Sequence, residues 1–201
     1  MSSTTRPDGV ATLEARSAAE WRAWLEAKHA SEKSVWLIIY RKHSDTPSVY
    51  YDEAVDEALC FGWIDSKPNK RDGESYFQFF SKRNPKSNWS KVNKDKVERL
   101  QKAGKLAPAG LAMIEQAKAS GTWNALDAVE AGIVPPDLQA ALDANSTAKQ
   151  YFEAFPRSSK RGILEWILNA KRPETRAKRI ATTVEMAAEN LRANHYRQPK
   201  R

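Results

Sequence analysis

The sequence has little of what catalytic and metal centres require. It contains one cysteine, three histidines and eight glycines in 201 residues. A single cysteine excludes an internal disulfide, and His29, His43 and His195 offer no pair at the spacing of metal ligands. The glycines form no phosphate-binding loop. We therefore expect no metal ion, no cofactor and no identifiable catalytic residue.

Long apolar runs are also missing. The longest, Val35–Tyr40, is far too short to span a bilayer, and the first ten residues lack the apolar segment of a signal peptide. The hydrophobic content of 41% is sufficient for a folded core. These features predict a cytosolic protein without membrane insertion. The oligomeric state stays open.

Positive charge is concentrated in two blocks of a chain whose net charge is +8. Residues 65–105 carry 12 Lys/Arg against 5 Asp/Glu, and residues 154–201 carry 12 against 4. The remainder carries 9 against 16. On a shared face the blocks would attract nucleic acid or another polyanion, whereas on opposite faces they would only solvate the surface.

Side-chain periodicity predicts an α+β protein. We expect a small antiparallel sheet with helices in an N-terminal lobe, residues 17–89, and an all-helical C-terminal lobe, residues 90–195. Residues 1–16 are expected to form a mobile tail and residues 196–201 a basic tail.

Three helices carry clear signals. Ser17 is a good N-cap for the first, and Asp52 is the expected cap of a helix that Gly62 terminates. In the last helix, one stripe is expected to be buried: Ile180, Val184, Ala187 and Leu191.

A hairpin is predicted around Asp72-Gly73, a strong turn signal. Centring the turn there places Asp65 opposite Phe80, and Pro68 indicates an edge strand or a bulge. Alternation then sorts the side chains into two faces. The set expected to face inward is Ile64, Ser66, Pro68, Phe77 and Phe79. The set expected to face outward is Trp63, Asp65, Lys67, Asn69, Tyr76, Gln78 and Phe80.

The segment Arg83-x-Pro-x-Ser-x-Trp-Ser-x-x-Asn93 adds groups suited to an anionic or aromatic small molecule. Arg83 offers a bidentate fork, Trp89 a flat aromatic face, and Ser87 and Ser90 can cap the following helix. The predicted ligand site comprises Trp63, Asp65, Lys67, Tyr76, Arg83, Ser87, Trp89, Ser90 and Asn93. In the alternative interpretation these residues only cap, pack and pair, with Arg83 bonded to Asp65.

Cys60 and Asp65 leave open a small-molecule enzyme. Cys60 falls near the C-terminal end of its helix, where the dipole disfavours a thiolate. A structural cysteine is therefore favoured.

A further basic segment near the C-terminus suggests phosphate contacts. The candidate polyanion contacts are Lys171, Arg172, Arg176 and Arg179. No helix-turn-helix, zinc-finger or RNP motif accompanies them.

Three segments in order resemble the bacteriocin-protection, YdeI/OmpD-associated family. They are Glu57-Ala-Leu-Cys-Phe-Gly-Trp-Ile-Asp65, the Arg83–Asn93 segment, and residues 159–180 with their Ala-Lys-Arg-Pro-Glu-Thr-Arg core. The resemblance implies a role in tolerance of bacteriocins or antimicrobial peptides and a link to an outer-membrane porin. It also suggests a periplasmic setting, and it brings no established reaction.

The leading hypothesis is therefore a non-enzymatic cytosolic binding protein. The alternatives are a nucleic-acid-binding protein that uses the two basic blocks, and a small-molecule enzyme that uses Cys60 or Asp65.

Overall fold

The computed structural model describes residues 9–195 and residue 198. The chain forms two compact units, the first ending at Asn124 and the second beginning at Ala125. Each unit has a hydrophobic core of its own. The basic tail expected over residues 196–201 lies outside the described residues, except for Gln198.

The first unit combines a sheet with helices, and the second is helical throughout its described part, which confirms the α+β prediction. The elements of the first unit are β1 (Thr12–Glu14), α1 (Ala18–Lys28), β2 (Ser34–Tyr40), α2 (Tyr51–Cys60), β3 (Trp63–Lys70), β4 (Ser75–Lys82), α3 (Lys91–Lys102) and α4 (Pro108–Ser120). Those of the second are α5 (Asp127–Glu130), α6 (Pro136–Asp143), α7 (Ser146–Ala154), α8 (Arg157–Leu168) and α9 (Pro173–Ala188). Within residues 9–195, no helix combines the length and the apolar character that crossing a bilayer requires.

The sheet has the strand order β1-β2-β4-β3. The β2–β4 and β4–β3 pairs are antiparallel, whereas β1 pairs with β2 in parallel, so the sheet is mixed. The expectation of a mobile tail over residues 1–16 is therefore wrong for residues 12–14. Leu13 is only 2% exposed, and this burial, together with the strand pairing, holds β1 in place.

β3 and β4 form the predicted hairpin. Asp65 pairs with Phe80 as expected, and a register shift lies between Asp65 and Pro68 on β3, which is an edge strand. Nearer the turn, the pairing is displaced by one residue from the prediction. Asp72 shapes the turn through its side chain, because its Oδ1 accepts a hydrogen bond of 2.7 Å from the main-chain N–H of Ser75.

β4 alternates as predicted but faces the opposite way. Beyond the register shift on β3, Pro68 pairs with Gln78 and therefore, contrary to expectation, does not share the face of Phe77 and Phe79. Trp63 and Phe80, expected to face outward, are 1% and 0% exposed in the core of the first unit. Their rings contact two tryptophans of α1, Trp24 at 5.7 Å and Trp21 at 5.3 Å between centroids. The other face holds two half-buried rings against a tryptophan of β2: Phe77, Phe79 and Trp36. Alternation separates the two faces of a strand but does not say which face a helix covers.

The predicted N-cap residue is correct for α1 and wrong for α2. Ser17 caps α1 as predicted, since its Oγ accepts from the N–H of Glu20 at 3.3 Å. The cap of α2 is Tyr50 and not Asp52. The reason is that Glu53 reaches back to accept a 3.1 Å hydrogen bond from the N–H of Tyr50.

Helices α3 and α4 belong to the first unit, although a boundary was expected between residues 89 and 90. Val97, Leu100 and Ile114 are buried in its core, which physically ties both helices to the sheet and α2. α4 approaches the end of α2 so closely that a Cβ built at Gly110 would lie 2.8 Å from the carbonyl carbon of Cys60.

In the second unit, α6, α7 and α8 pack against α9. The predicted stripe of α9 is buried at Ile180 and Ala187 and half-buried at Val184. Leu191 lies beyond the end of the helix at Ala188.

Candidate functional site

Arg83 lies directly after β4 with its side chain buried. It is 5% exposed, and its Cζ lies 3.7 Å from the ring centroid of Trp89, which is itself 2% exposed. One terminal nitrogen, Nη2, donates a 2.6 Å hydrogen bond to the carbonyl oxygen of Asn88. Its main-chain N–H donates to the carbonyl of Gly62 at 3.0 Å. The guanidinium is therefore held in one position by an aromatic face and a main-chain acceptor.

The charge of Arg83 is not neutralised by a direct ion pair in the described part of the chain. Its Nε has no hydrogen-bond partner there. Burial lowers the pKa of Arg83 to about 10, and Asp65 opposes this shift through its charge. Arg83 is protonated at neutral pH with such a pKa. A cation in these surroundings favours an anion that can reach it.

Tyr51, at the start of α2, joins this group although the sequence analysis missed it. Its Oη donates a 2.7 Å hydrogen bond to Oδ2 of Asp65. Burial raises the pKa of Tyr51, and the carboxylate of Asp65 raises it further, so its hydroxyl stays a donor. The sequence signal that could have indicated Tyr51 is the pair of tyrosines at positions 50 and 51, since neither belongs to the buried face of α2.

Tyr76 lies on β4 seven residues before Arg83, a separation of roughly 23 Å along an extended strand, so the structure does not bring it to that guanidinium. Burial raises the pKa of Tyr76, and the nearby Arg41 partly opposes this shift. We refer to one set of residues as the Arg83 cluster: Tyr51, Asp65, Arg83 and Trp89.

Four further residues of the predicted ligand site have structural roles or lie exposed on the surface. Trp63 is part of the core, and its Nε1 donates to the carbonyl of His29 at 3.4 Å. Lys67 is exposed on the edge strand β3. Ser90 caps α3 as predicted, accepting from the N–H of Asn93 at 3.3 Å. Ser87 does not cap that helix, because its Oγ is turned to the carbonyl of Asn84, at 2.7 Å.

Cys60 lies at the end of α2 and is fully buried. Burial raises the pKa of the Cys60 thiol, the carboxylate of Glu57 raises it further, and Arg22 partly opposes both. Arg22 is itself bonded to Glu57 at 2.8 Å. This environment favours the neutral thiol over the thiolate that a nucleophile requires.

Two of the four candidate polyanion contacts are already engaged within the second unit. Arg176 makes a bidentate ion pair with Asp137 of α6, at 2.6 and 2.9 Å. Arg179 donates to the carbonyl of Trp166 and lies over its ring. Lys171 and Arg172 remain exposed just before α9. A role of these residues in polyanion binding stays a prediction.

The fold and the cluster define a two-unit α+β protein, in which a buried arginine and aromatic rings form a candidate ligand site in the first unit. Residues 13–113, just over half of the chain, match the family described as a domain of unknown function (DUF8412), and the chain belongs to that family. Residues 131–190 match the family described as bacteriocin-protection, YdeI or OmpD-associated, which confirms the suspected resemblance. Searches of curated proteins and of solved structures give no significant match.

These matches divide the three segments on which the resemblance was based. Residues 57–65 and 83–93 lie within the match to the domain of unknown function. Residues 159–180 lie within the bacteriocin-protection match. The Arg83 cluster therefore belongs to a domain without an assigned function, and the name that suggests a role belongs to the second unit.

Proposed function

We propose that this is a non-enzymatic binding protein that takes up an anionic or aromatic small molecule at the Arg83 cluster and contributes to tolerance of bacteriocins or antimicrobial peptides. The role in tolerance is drawn from the description of the family that residues 131–190 match. Its cytosolic location and the link to an outer-membrane porin stay predictions.

The observation that carries the proposal is the buried Nε of Arg83, which has no hydrogen-bond partner among the residues that the structure describes. Because Arg83 is only 5% exposed as a residue, its guanidinium has lost most of its hydration, and a direct anionic partner would recover part of that loss. Arginine also suits planar anions, because its nitrogens can donate two parallel hydrogen bonds. The cluster is therefore prepared for a carboxylate or a phosphate.

The surroundings of Arg83 favour a ligand with an aromatic part. Trp89 lies against Trp123 at 5.0 Å between ring centroids, which fixes its plane. Tyr51 is 42% exposed and its hydroxyl is oriented by Asp65. Tyr51 therefore offers a partly exposed ring to a flat ligand, whereas the buried ring of Trp89 holds the guanidinium of Arg83 in place.

Thermal denaturation with a panel of small carboxylates, phosphates and aromatic acids tests the proposal. A ligand at about 100 times its Kd adds roughly 2.7 kcal/mol, which for this size of chain raises the Tm by roughly 5–10 °C. We expect Arg83→Met to abolish that shift, because methionine keeps an apolar side chain over Trp89 but removes the charge.

Arg16→Met is the matched control, since Arg16 is an exposed arginine of the same unit and lies outside the cluster. It should retain the full shift. Bacteria that produce the R83M protein should tolerate bacteriocins less well than those with R16M. A ligand shift that R83M leaves intact contradicts the proposed site, and equal tolerance with both variants contradicts the role.

A further inference from the structure

The second unit contains a cleft of about 420 Å³. Its walls come from α5, α6, α7, α8 and the connection between α5 and α6. This volume lies within the range of small-molecule sites in proteins, roughly 300–1,000 Å³. The cleft lies wholly in the second unit, whereas the Arg83 cluster lies in the first.

The floor of the cleft is apolar. Four side chains that line it are at most 6% exposed: Val129, Leu142, Phe152 and Leu164. Each comes from a different helix, so the floor is held by the core of the unit. An apolar ligand surface placed on this floor would leave water, and each methylene group would contribute roughly 0.8 kcal/mol of transfer free energy, which is about fourfold in affinity.

Four cationic residues also line the cleft, and two of them are neutralised. Lys149 pairs with Asp143 at 2.8 Å. Arg161 pairs with Glu130 at 2.8 Å and with Glu165 at 2.9 Å. The Lys149–Asp143 and Arg161–Glu130 pairs link neighbouring helices, whereas the Arg161–Glu165 pair lies within α8. The charges of both cations are therefore already compensated.

The other two cations, Arg157 and Lys160, are bonded to main-chain carbonyl groups. Nη2 of Arg157 donates to the carbonyl of Glu130 and Nζ of Lys160 to that of Glu153, both at 2.9 Å. Neither forms an ion pair with a carboxylate in the described part of the chain. Each retains further donors for an anion. They are thus the two charges at the cleft that a ligand can compensate.

We propose that the cleft binds a small amphipathic carboxylate, with its apolar body on the floor and its carboxylate at Arg157 and Lys160. A polyanion fits less well, because the carboxylate of Glu153 also lines the cleft and would repel additional negative charge. This proposal goes beyond the ligand site at the Arg83 cluster and does not depend on it.

Isothermal titration calorimetry with hexanoate, octanoate and decanoate tests the apolar part of the proposal. We expect the affinity to rise by about fourfold per methylene group until the cleft is filled. Octanol, which shares the chain of octanoate but lacks its charge, should bind at least about tenfold more weakly. Equal affinity for octanol and octanoate, or an affinity that does not depend on chain length, overturns the proposal.

The variants Arg157→Gln and Lys160→Gln test the polar part. Each should lower the affinity for octanoate by about tenfold, which is the loss expected for one hydrogen bond to a charged group. The circular dichroism spectrum of each variant should be unchanged. Lys178→Gln is the matched control, because Lys178 is an exposed lysine of α9 outside the cleft. Octanoate binding that survives in the R157Q/K160Q double variant overturns the assignment.

Arg83→Met separates the two proposals. It should leave octanoate binding unchanged while it abolishes binding at the Arg83 cluster. Octanoate binding that is lost in R83M and kept in the double variant would place the carboxylate in the first unit and overturn the inference about the cleft. A protein that binds none of the three carboxylates overturns it as well.

Discussion

Arg83 and Cys60 are both buried in the first unit, and burial favours the neutral form of each. For Arg83 it lowers the pKa to about 10, which still leaves the charge in place at neutral pH. For Cys60 it raises the pKa of the thiol, so the charge is absent. Burial thus leaves Arg83 charged only because its ordinary pKa lies far above neutral pH, whereas it makes the Cys60 thiol unreactive.

We expect the thiol of Cys60 to react slowly in the folded protein. The reason is twofold, since the sulfur is inaccessible and its pKa is raised above the ordinary value. Reaction with a chromogenic disulfide reagent at pH 8, followed with and without denaturant, measures this. One equivalent should react promptly only after unfolding, and prompt reaction of the native protein would restore Cys60 as a nucleophile.

The residues of the Arg83 cluster were only partly accessible to sequence reasoning. Asp65, Arg83 and Trp89 were predicted because they lie close together in the sequence near the hairpin, whereas Tyr76, also predicted, lies toward the turn of the hairpin and away from Arg83. Tyr51 was missed because its link to Asp65 is made by the packing of α2 beside β3, a long-range contact that periodicity does not encode. The cleft of the second unit was missed for the same reason, because its residues are spread over several helices without a motif.

At the scale of elements, local signals were reliable and packing directions were not. The hairpin, its Asp65–Phe80 pair and the irregularity near Pro68 all follow from turn chemistry and from the missing N–H of proline. The direction of the hairpin faces depends on α1, whose Trp21 and Trp24 cover the face that was expected to be exposed. Packing of this kind is decided by the whole unit.

The crossing of α2 and α4 depends on Gly110. An alanine there would place its Cβ 2.8 Å from the carbonyl carbon of Cys60 and 3.0 Å from the carbonyl oxygen of Leu59. These are main-chain atoms that cannot rotate away. We expect Gly110→Ala to lower the free energy of unfolding by about 1–3 kcal/mol. This loss exceeds the stabilisation that the higher helix propensity of alanine provides.

Gly162 in α8 supplies the control, because a Cβ built there meets no atom of the described residues within 4 Å. Gly162→Ala should raise the free energy of unfolding by about 0.4–1 kcal/mol, through the gain in helix propensity alone. Urea denaturation of both variants measures the difference. If the two alanines have the same effect, steric contact at the α2–α4 crossing is not what selects glycine at position 110.

For the whole molecule, the change from strand to helix patterns near residue 90 was not a boundary between units. α3 and α4 supply buried residues to the first core, so the division falls later, after Asn124. The family matches follow the same division, since one ends at residue 113 and the other begins at residue 131. A change in secondary structure is therefore a weaker marker of a unit than the limits of a shared core.

The net charge of +8 makes binding to polyanions a property of the whole molecule that needs its own test. We expect duplex DNA to bind only electrostatically, with an affinity that falls steeply between about 50 and about 200 mM salt. Lys171 and Arg172 are exposed, so reversing both charges should reduce the slope of log K against log salt by about two.

Reversal of Arg176 is the informative contrast. It breaks the ion pair with Asp137 and leaves like charges facing each other. We therefore expect it to lower the thermal stability of the second unit and to leave the slope of log K against log salt nearly unchanged. Fluorescence anisotropy at several salt concentrations, together with thermal denaturation, separates the two effects. Binding that does not depend on salt would show that DNA is held by a shaped site. An absence of binding at low salt would remove the nucleic-acid alternative, because an exposed cationic surface that does not bind DNA under those conditions serves only to solvate the protein.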